Sequence, residues 1–244
     1  MKVRLGSVDS TNAHCARLLK EGPVAHGSLY YAIEQSAGKG QPGNKWVSEP
    51  GSNLVFSMVV YPDKLEPARA FLLNQWVSVA LVDFLHEYFH IDMDCLAVKW
   101  PNDVVADDRK IAGILIESAI QGNTLAHAIA GVGLNLNQQA FPEELSRAVS
   151  VRHLTGVIHP LEEALDACAA ILDREWKVFQ DDPTSLTEKY RDMLYGKDLW
   201  RDFMIEGRRT SGRIEGVDDE GRLVLQFNDE SRRAFRFQEL KWIW

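Results

Sequence analysis

Apolar and polar residues alternate along this chain with two distinct periods. Leu73, Val77, Leu81, Phe84, Leu85 and Tyr88 recur at three- and four-residue spacing, which predicts an amphipathic helix over 68–89. A second stripe, Leu161, Leu165, Cys168, Leu172 and Phe179, predicts another over 160–180. Near the start, Ser10, Thr11 and Asn12 offer N-caps for a short helix over 13–20, which Gly22 and Pro23 close. Between these helices lie β-rich runs at 29–33, 54–60, 96–100, 110–117 and 125–136. Strands and helices are interspersed without a regular βαβ repeat, so the expected class is α+β, a mixed sheet with helices on one side.

The pattern changes near Gly196. Short alternating runs at 199–205, 210–217, 222–227 and 234–237 are separated by the turn-rich pieces Asp218-Asp219-Glu220-Gly221 and Asn228-Asp229-Glu230, as a small β-barrel would require. The expected division is a main domain over 1–194 and a small unit over 195–244. So short a tail has little core of its own and is expected to lean on the main domain.

Composition adds limits. With 45% hydrophobic and 25% charged residues in 244, the chain reads as an ordinary globular protein. Apolar runs such as 53–61 and 111–116 are shorter than the ~20 residues of a membrane span, and the N-terminus lacks the apolar core of a signal peptide. No membrane association is expected, and a cytoplasmic location is the default. Cys15, Cys95 and Cys168 are odd in number and far apart, which suggests neither a disulfide framework nor a zinc knuckle. A net charge of −8 argues against a general nucleic-acid binder. A homodimer formed by pairing sheets across a two-fold axis is compatible with the chain, though no residue demands it.

Three segments could carry chemistry. Gly38-Lys39-Gly40-Gln41-Pro42-Gly43 matches G-x-G-x-x-G, but a dinucleotide fold needs a helix after it, and here Pro42 and 44–51 lead into another β run. What survives is a loop whose backbone can approach an anion, with Lys39 and Lys45 for charge and Trp46 as a flat stacking surface. Taken alone, it reads as a surface hairpin. The second segment, Lys99-Trp100-Pro101-Asn102-Asp103 followed by 109–117, brings two lysines and an aspartate onto two neighbouring strands. Lys110 lies at the mouth of an apolar run and needs an anionic partner. The third, Gly131-Val132-Gly133-Leu134-Asn135, interrupts a strand with glycines, which marks close approach of a ligand or another backbone. His86-Glu87-Tyr88-Phe89-His90 completes H-E-x-x-H. It falls at the end of the predicted helix with no third ligand nearby, and helix-terminal histidines favoured by the dipole are the expected reading.

Asp9-Ser10-Thr11-Asn12, Glu34-Gln35-Ser36-Ala37-Gly38-Lys39-Gly40, Lys45-Trp46, Lys99-Trp100-Pro101-Asn102-Asp103, Lys110-Ile111-Ala112-Gly113-Ile114-Leu115 and Gly131-Val132-Gly133-Leu134-Asn135 together resemble biotin protein ligases in order and spacing, in detail over 7–140. The resemblance implies the class II synthetase-like biotin/lipoate ligase fold with an SH3-like C-terminal unit. It implies an enzyme that forms biotinyl-5′-AMP from biotin and ATP with Mg²⁺, then transfers biotin to a lysine of a biotin carboxyl carrier protein or domain.

By the same resemblance, Ser10, Thr11, Asn12, Gln35, Lys39, Gly40, Gln41, Lys110 and Gly113 match biotin-binding positions. Gly38, Lys39, Gly40, Lys45, Trp46, Asn102, Lys110 and Asn135 match positions for ATP or the adenylate. Lys110 matches the lysine between biotin carboxylate and α-phosphate, Lys39 the loop closing over the adenylate, and Asp103 an acid near the reacting centre. No dedicated metal site is implied, Mg²⁺ accompanying ATP. Lys39 and Gln41 stand where many members carry arginines, which loses the bidentate fork at one position and the charge at the other. Some members are also repressors with a leading helix-turn-helix domain; Asp9 leaves no room for one, so no operator binding is expected. The rivals are a lipoate ligase or octanoyltransferase, expected to share the fold, and a non-catalytic protein with a vestigial pocket.

Overall fold

A computed structural model describes residues 1–243. Seven strands, β1 (Lys2–Val8), β2 (Ser28–Gln35), β3 (Leu54–Val60), β4 (Leu96–Lys99), β5 (Asp103–Ala106), β6 (Arg109–Gln121) and β7 (Thr124–Leu134), form one sheet in the order β1-β2-β3-β7-β6-β5-β4. β1 runs parallel to β2 and the remaining neighbours are antiparallel, so the sheet is mixed and the class is α+β, as the pattern predicts. β1 and β5 fall outside the predicted runs. β1 is a half-exposed edge strand with weak alternation, and the four residues of β5 lie between two turns.

The helices are α1 (Thr11–Glu21), α2 (Phe71–Phe89), α3 (Val151–Thr155), α4 (Leu161–Asp181) and α5 (Pro183–Asp192). They cover both sheet faces rather than one. Tyr31, Phe56, Met58 and Ala130 pack in the large core with α2 and α4. Tyr30, Val59 and Ile129, the alternate residues on the same strands, pack with Cys15 on the opposite face, under α1. The amphipathic prediction for α2 also needs correcting, because every residue from Leu72 to Leu85 except Asn74 is buried. By length and composition the segment Pro67–Phe89 could cross a membrane, yet 72% of its most apolar window is buried inside the fold. It is the central core helix, wrapped by the sheet, α4 and α5.

The C-terminal strands β8 (Trp200–Ile205), β9 (Arg208–Val217), β10 (Leu223–Gln226), β11 (Arg232–Phe235) and β12 (Leu240–Trp242) form a five-stranded antiparallel sheet ordered β11-β10-β9-β8-β12. Among the described residues no ladder joins its edges, so the sheet is open where a barrel was expected. Phe203, Ile214, Leu223 and Leu225 belong to the same hydrophobic cluster as α2. The buried Trp100 indole donates to the Gly221 carbonyl at 2.8 Å, and the Trp242 indole donates to the Trp100 carbonyl at 3.3 Å. The tail therefore shares the main core.

Candidate functional site

A cavity of about 650 Å³ opens on the α1 face of the main sheet. Its inner end is the start of α1. Ser10 occupies the N-cap position in extended backbone, but its hydroxyl makes no capping bond, so it remains available to the cavity it borders. The Thr11 amide donates to Gln35 Oε1 at 2.8 Å, and Asn12 Nδ2 donates to a Glu117 carboxylate oxygen at 2.7 Å and the Leu115 carbonyl at 3.3 Å. Ser10, Thr11 and Asn12 are buried, each 3–4% exposed, while Gln35 is partly buried and Glu117 exposed.

The floor is made by glycines on β6 and β7. A Cβ on Gly131 would lie 2.2 Å from Asn12 Oδ1, and one on Gly133 would lie 2.2 Å from Trp46 Cε2. The strand glycines thus admit two side chains, one from α1 and one from the glycine loop, and leave the surface flat beside them. The loop is a tight hairpin: the Gly40 amide donates to the Asn44 carbonyl at 3.1 Å, the Trp46 amide to the Gly38 carbonyl at 3.1 Å, and Gly43 takes φ +90°. Gly38 has no room for a Cβ, which would meet the Trp46 carbonyl at 2.4 Å. The Trp46 indole N–H is buried without a hydrogen-bond partner among the described residues.

Across the floor, Lys110 Nζ lies 2.6 Å from Asp103 Oδ1 and 5.7 Å from the Trp46 ring centroid. A bulge produces this placement. In the β5–β6 ladder Asp103 pairs with Gly113 and Val104 with Ala112, but Val105 pairs with Lys110. Ile111 and Ala112 both enter the core, which returns Lys110 to the face that Gly113 occupies. In an unbroken strand, residues three apart would face opposite ways. The two lysines and the aspartate accordingly sit on three strands, β4, β5 and β6, not two. Lys99, at the end of β4, lies 5.2 Å from the Trp242 ring, and burial pushes its pKa down to about 8, against the opposing pull of Asp103. The Trp100–Pro101 peptide between these strands is cis.

Ser10, Thr11, Asn12, Gln35, Lys39, Gly40, Gln41, Lys45, Trp46, Asn102, Asp103, Lys110 and Gly113 all border the one cavity. Two residues expected there do not. Gly38 shapes the hairpin from behind. Asn135 is buried with its amide donating to the Val149 carbonyl at 3.1 Å, and it stands 3.5 Å from the Lys110 carbonyl, so it braces the Lys110 backbone. Asn102 does border the cavity, but its amide is spent on the Ile114 carbonyl at 2.8 Å. Sequence reasoning missed the C-terminal wall, where Phe237, Leu240, Lys241 and Trp242 line the opening. Nothing in their local pattern signals it.

The wall charges are lopsided. Lys39, Lys45, Lys99, Lys110 and Lys241 face a single carboxylate, Asp103, in a protein of net charge −8. Such a cavity suits an anionic ligand. With that carboxylate already paired to Lys110, the walls form no cage for a resident divalent ion, and no cluster of three metal-binding side chains occurs among the described residues. The H-E-x-x-H residues have other partners. Glu87 is held by Arg174 at 2.8 and 2.9 Å, His86 Nδ1 contacts the Ile91 carbonyl at 2.9 Å, and His90 ends α2 in the left-handed region.

Comparison with known proteins agrees with this geometry. The family model described as the Biotin/lipoate A/B protein ligase family matches residues 5–135. A Paracoccus denitrificans protein named biotin--[acetyl-CoA-carboxylase] ligase is 32% identical over 91% of this chain and 92% of its own. The Bacillus subtilis bifunctional ligase/repressor BirA is 29% identical over 93% of this chain and 70% of its own length. The Aquifex aeolicus biotin protein ligase, solved in complex with biotin and ATP, superposes with a TM-score of 0.81 at 25% identity, covering 98% of this chain and 97% of that one. The motifs, the mixed sheet and the comparisons converge on one conclusion: the chain belongs to the biotin/lipoate A/B protein ligase family.

Proposed function

We propose that this protein is an ATP-dependent biotin protein ligase. It joins the biotin carboxylate to the α-phosphate of ATP, releasing pyrophosphate, and then passes the biotinyl group from AMP to a lysine of a biotin carboxyl carrier protein or domain. The observation that carries the reading is Lys110, which borders the same cavity as the polar α1 end, lies 5.7 Å from the Trp46 ring centroid and is paired to Asp103 at 2.6 Å. The names of the Paracoccus and Aquifex proteins support it.

The chemistry divides along the cavity. Ser10, Thr11 and Gln35 receive the polar ring of biotin, and its chain runs over the floor near Gly113 toward Lys110. A carboxylate attacking an α-phosphate brings negative groups together, and the Lys110 ammonium offsets the charge that develops between them. Lys39, Lys45 and Lys241 receive the polyphosphate, while Trp46 offers its ring to adenine. Mg²⁺ enters with ATP as part of that substrate. The acyl-phosphate anhydride is hydrolysable, and the loop carrying Lys39, Gly40 and Gln41 limits water's access to it. In the transfer step the acceptor lysine attacks as a neutral amine, and Asp103 orients it or takes its proton. The open C-terminal sheet, taken as a unit from residue 195, is the SH3-like part of this reading and supplies the wall around Trp242.

The test is labelling of a carrier domain with biotin and ATP, run in parallel with lipoate. Biotin-dependent labelling is expected, and labelling with lipoate alone would overturn the proposal. Lys110→Met should slow adenylate formation by about 10²–10³, the usual loss when one preorganised charge donor is removed. Asp103→Ala should slow transfer from preformed biotinyl-adenylate; transfer at the wild-type rate would remove Asp103 from that step.

A further inference from the structure

The inner end of the cavity is set by a chain of hydrogen bonds that begins outside it. Glu117 is an exposed carboxylate on β6, and Ser57 is fully buried on β3; neither borders the cavity. Asn12 Nδ2 faces two groups that can only accept, the Glu117 carboxylate at 2.7 Å and the Leu115 carbonyl at 3.3 Å. That fixes the amide's orientation, because the reverse would set oxygen against oxygen at both contacts. Asn12 Oδ1 therefore points the other way, to Ser57 Oγ at 2.6 Å, into space that the missing Cβ of Gly131 leaves open.

An amide oxygen has no proton to give, so the Ser57 hydroxyl spends its one hydrogen on Asn12. Ser57 Oγ also lies 2.7 Å from Thr11 Oγ1, and that short contact needs a proton, which only Thr11 has left. With its hydrogen directed to Ser57, Thr11 Oγ1 keeps lone pairs alone. Gln35 Oε1, 3.2 Å from Thr11 Oγ1, already accepts from the Thr11 amide, which leaves Gln35 Nε2 as a donor.

We infer that Glu117 and Ser57 set the hydrogen-bond polarity of the inner cavity, so that Thr11 meets the ligand as an acceptor for a ring N–H. This deepens the biotin reading and rests on it. The pocket head then offers an acceptor at Thr11 beside donors at Ser10 Oγ and Gln35 Nε2, the complement of a cyclic urea with its N–H and C=O. A ring without N–H, such as a dithiolane, leaves the Thr11 acceptor unpaired in a buried place, which is costly. Ser57 and Glu117 are thus positioning residues that determine which ring is taken.

The decisive measurement compares biotin with its cyclic-carbonate analogue, in which oxygens replace the two ureido nitrogens, by calorimetric titration of the whole protein. Ser57→Ala frees the Thr11 proton, and Glu117→Gln weakens the constraint that orients Asn12, since a glutamine can present either a donor or an acceptor and only the Leu115 carbonyl stays fixed. Ser57→Ala should reduce the preference for biotin over the carbonate by about tenfold, and Glu117→Gln should reduce it in the same direction, with ATP affinity unchanged in both. A preference within twofold of wild type in both variants overturns the inference, as does an equal loss of affinity for both ligands, which would mark a purely structural role. If the wild type fails to bind biotin at all, the proposed function falls as well, a result distinct from either of those.

Discussion

Lys99 shows how burial converts a single side chain into a pH-dependent contribution. It is held under the Trp242 ring, and desolvation lowers its pKa from the ordinary 10.5 to about 8. Between those values the unfolded chain carries a proton at Lys99 that the folded chain lacks, so stability rises with pH across the interval. Lys99→Met should abolish this contribution. Urea denaturation of both proteins from pH 8 to 10.5 is expected to show the wild type gaining stability on the variant as pH rises, and parallel curves would refute the assignment. Gln41 is the second residue of interest. It borders the cavity without charge, so Gln41→Arg should add a charge-assisted bond to the adenylate phosphate and slow biotinyl-adenylate dissociation by about tenfold. Stopped-flow dissociation rates check this, and an unchanged rate counts against it. The identities of these side chains were plain from the sequence. What the sequence did not carry is the environment that shifts Lys99, since Trp242 stands 143 positions away in the chain.

At the scale of elements, the site depends on irregularities in strands. Glycines at 131 and 133 read as places of close approach, and the structure shows what approaches: Asn12 and Trp46. Gly133→Ala should force the Trp46 ring off the floor, at a cost of about 1–3 kcal/mol in stability. The accompanying change in tryptophan emission and a weaker ATP affinity are the measurements, and unaltered emission with unaltered affinity would show that Trp46 yields freely. The bulge at Ile111 and Ala112 is the other irregularity. Sequence periodicity marks β6 as a strand but gives no sign of the extra residue, because both bulged positions are apolar and both enter the core. A bulge is defined by the partner strand, and β5 was itself too short to recognise.

At the scale of the whole molecule, the motif around Trp100 does two jobs. Lys99 and Asp103 face the cavity while Trp100, 2% exposed, fastens the C-terminal sheet through Gly221. Trp100→Phe keeps most of the apolar area but leaves the Gly221 carbonyl unpaired, which should cost about 1–3 kcal/mol. Hydrogen exchange of the β12 amides should accelerate in this variant, and unchanged protection there would show that the sheet is held mainly by the shared core. Because β12 forms part of the cavity wall, loosening it should also raise the KM for ATP.

The chain order alone determined the class, the long helices, most strands and the motif segments that the cavity gathers, because hydrophobic period and motif spacing are local properties. Tertiary structure decided the rest. It placed α1 on the face opposite α2, set Asn135 against the Val149 carbonyl behind the cavity lining, opened the expected barrel, and drew the final strand into the cavity wall. Each of these depends on which surfaces bury one another across long stretches of sequence, and a hydrophobic pattern records that a face is buried without recording against what.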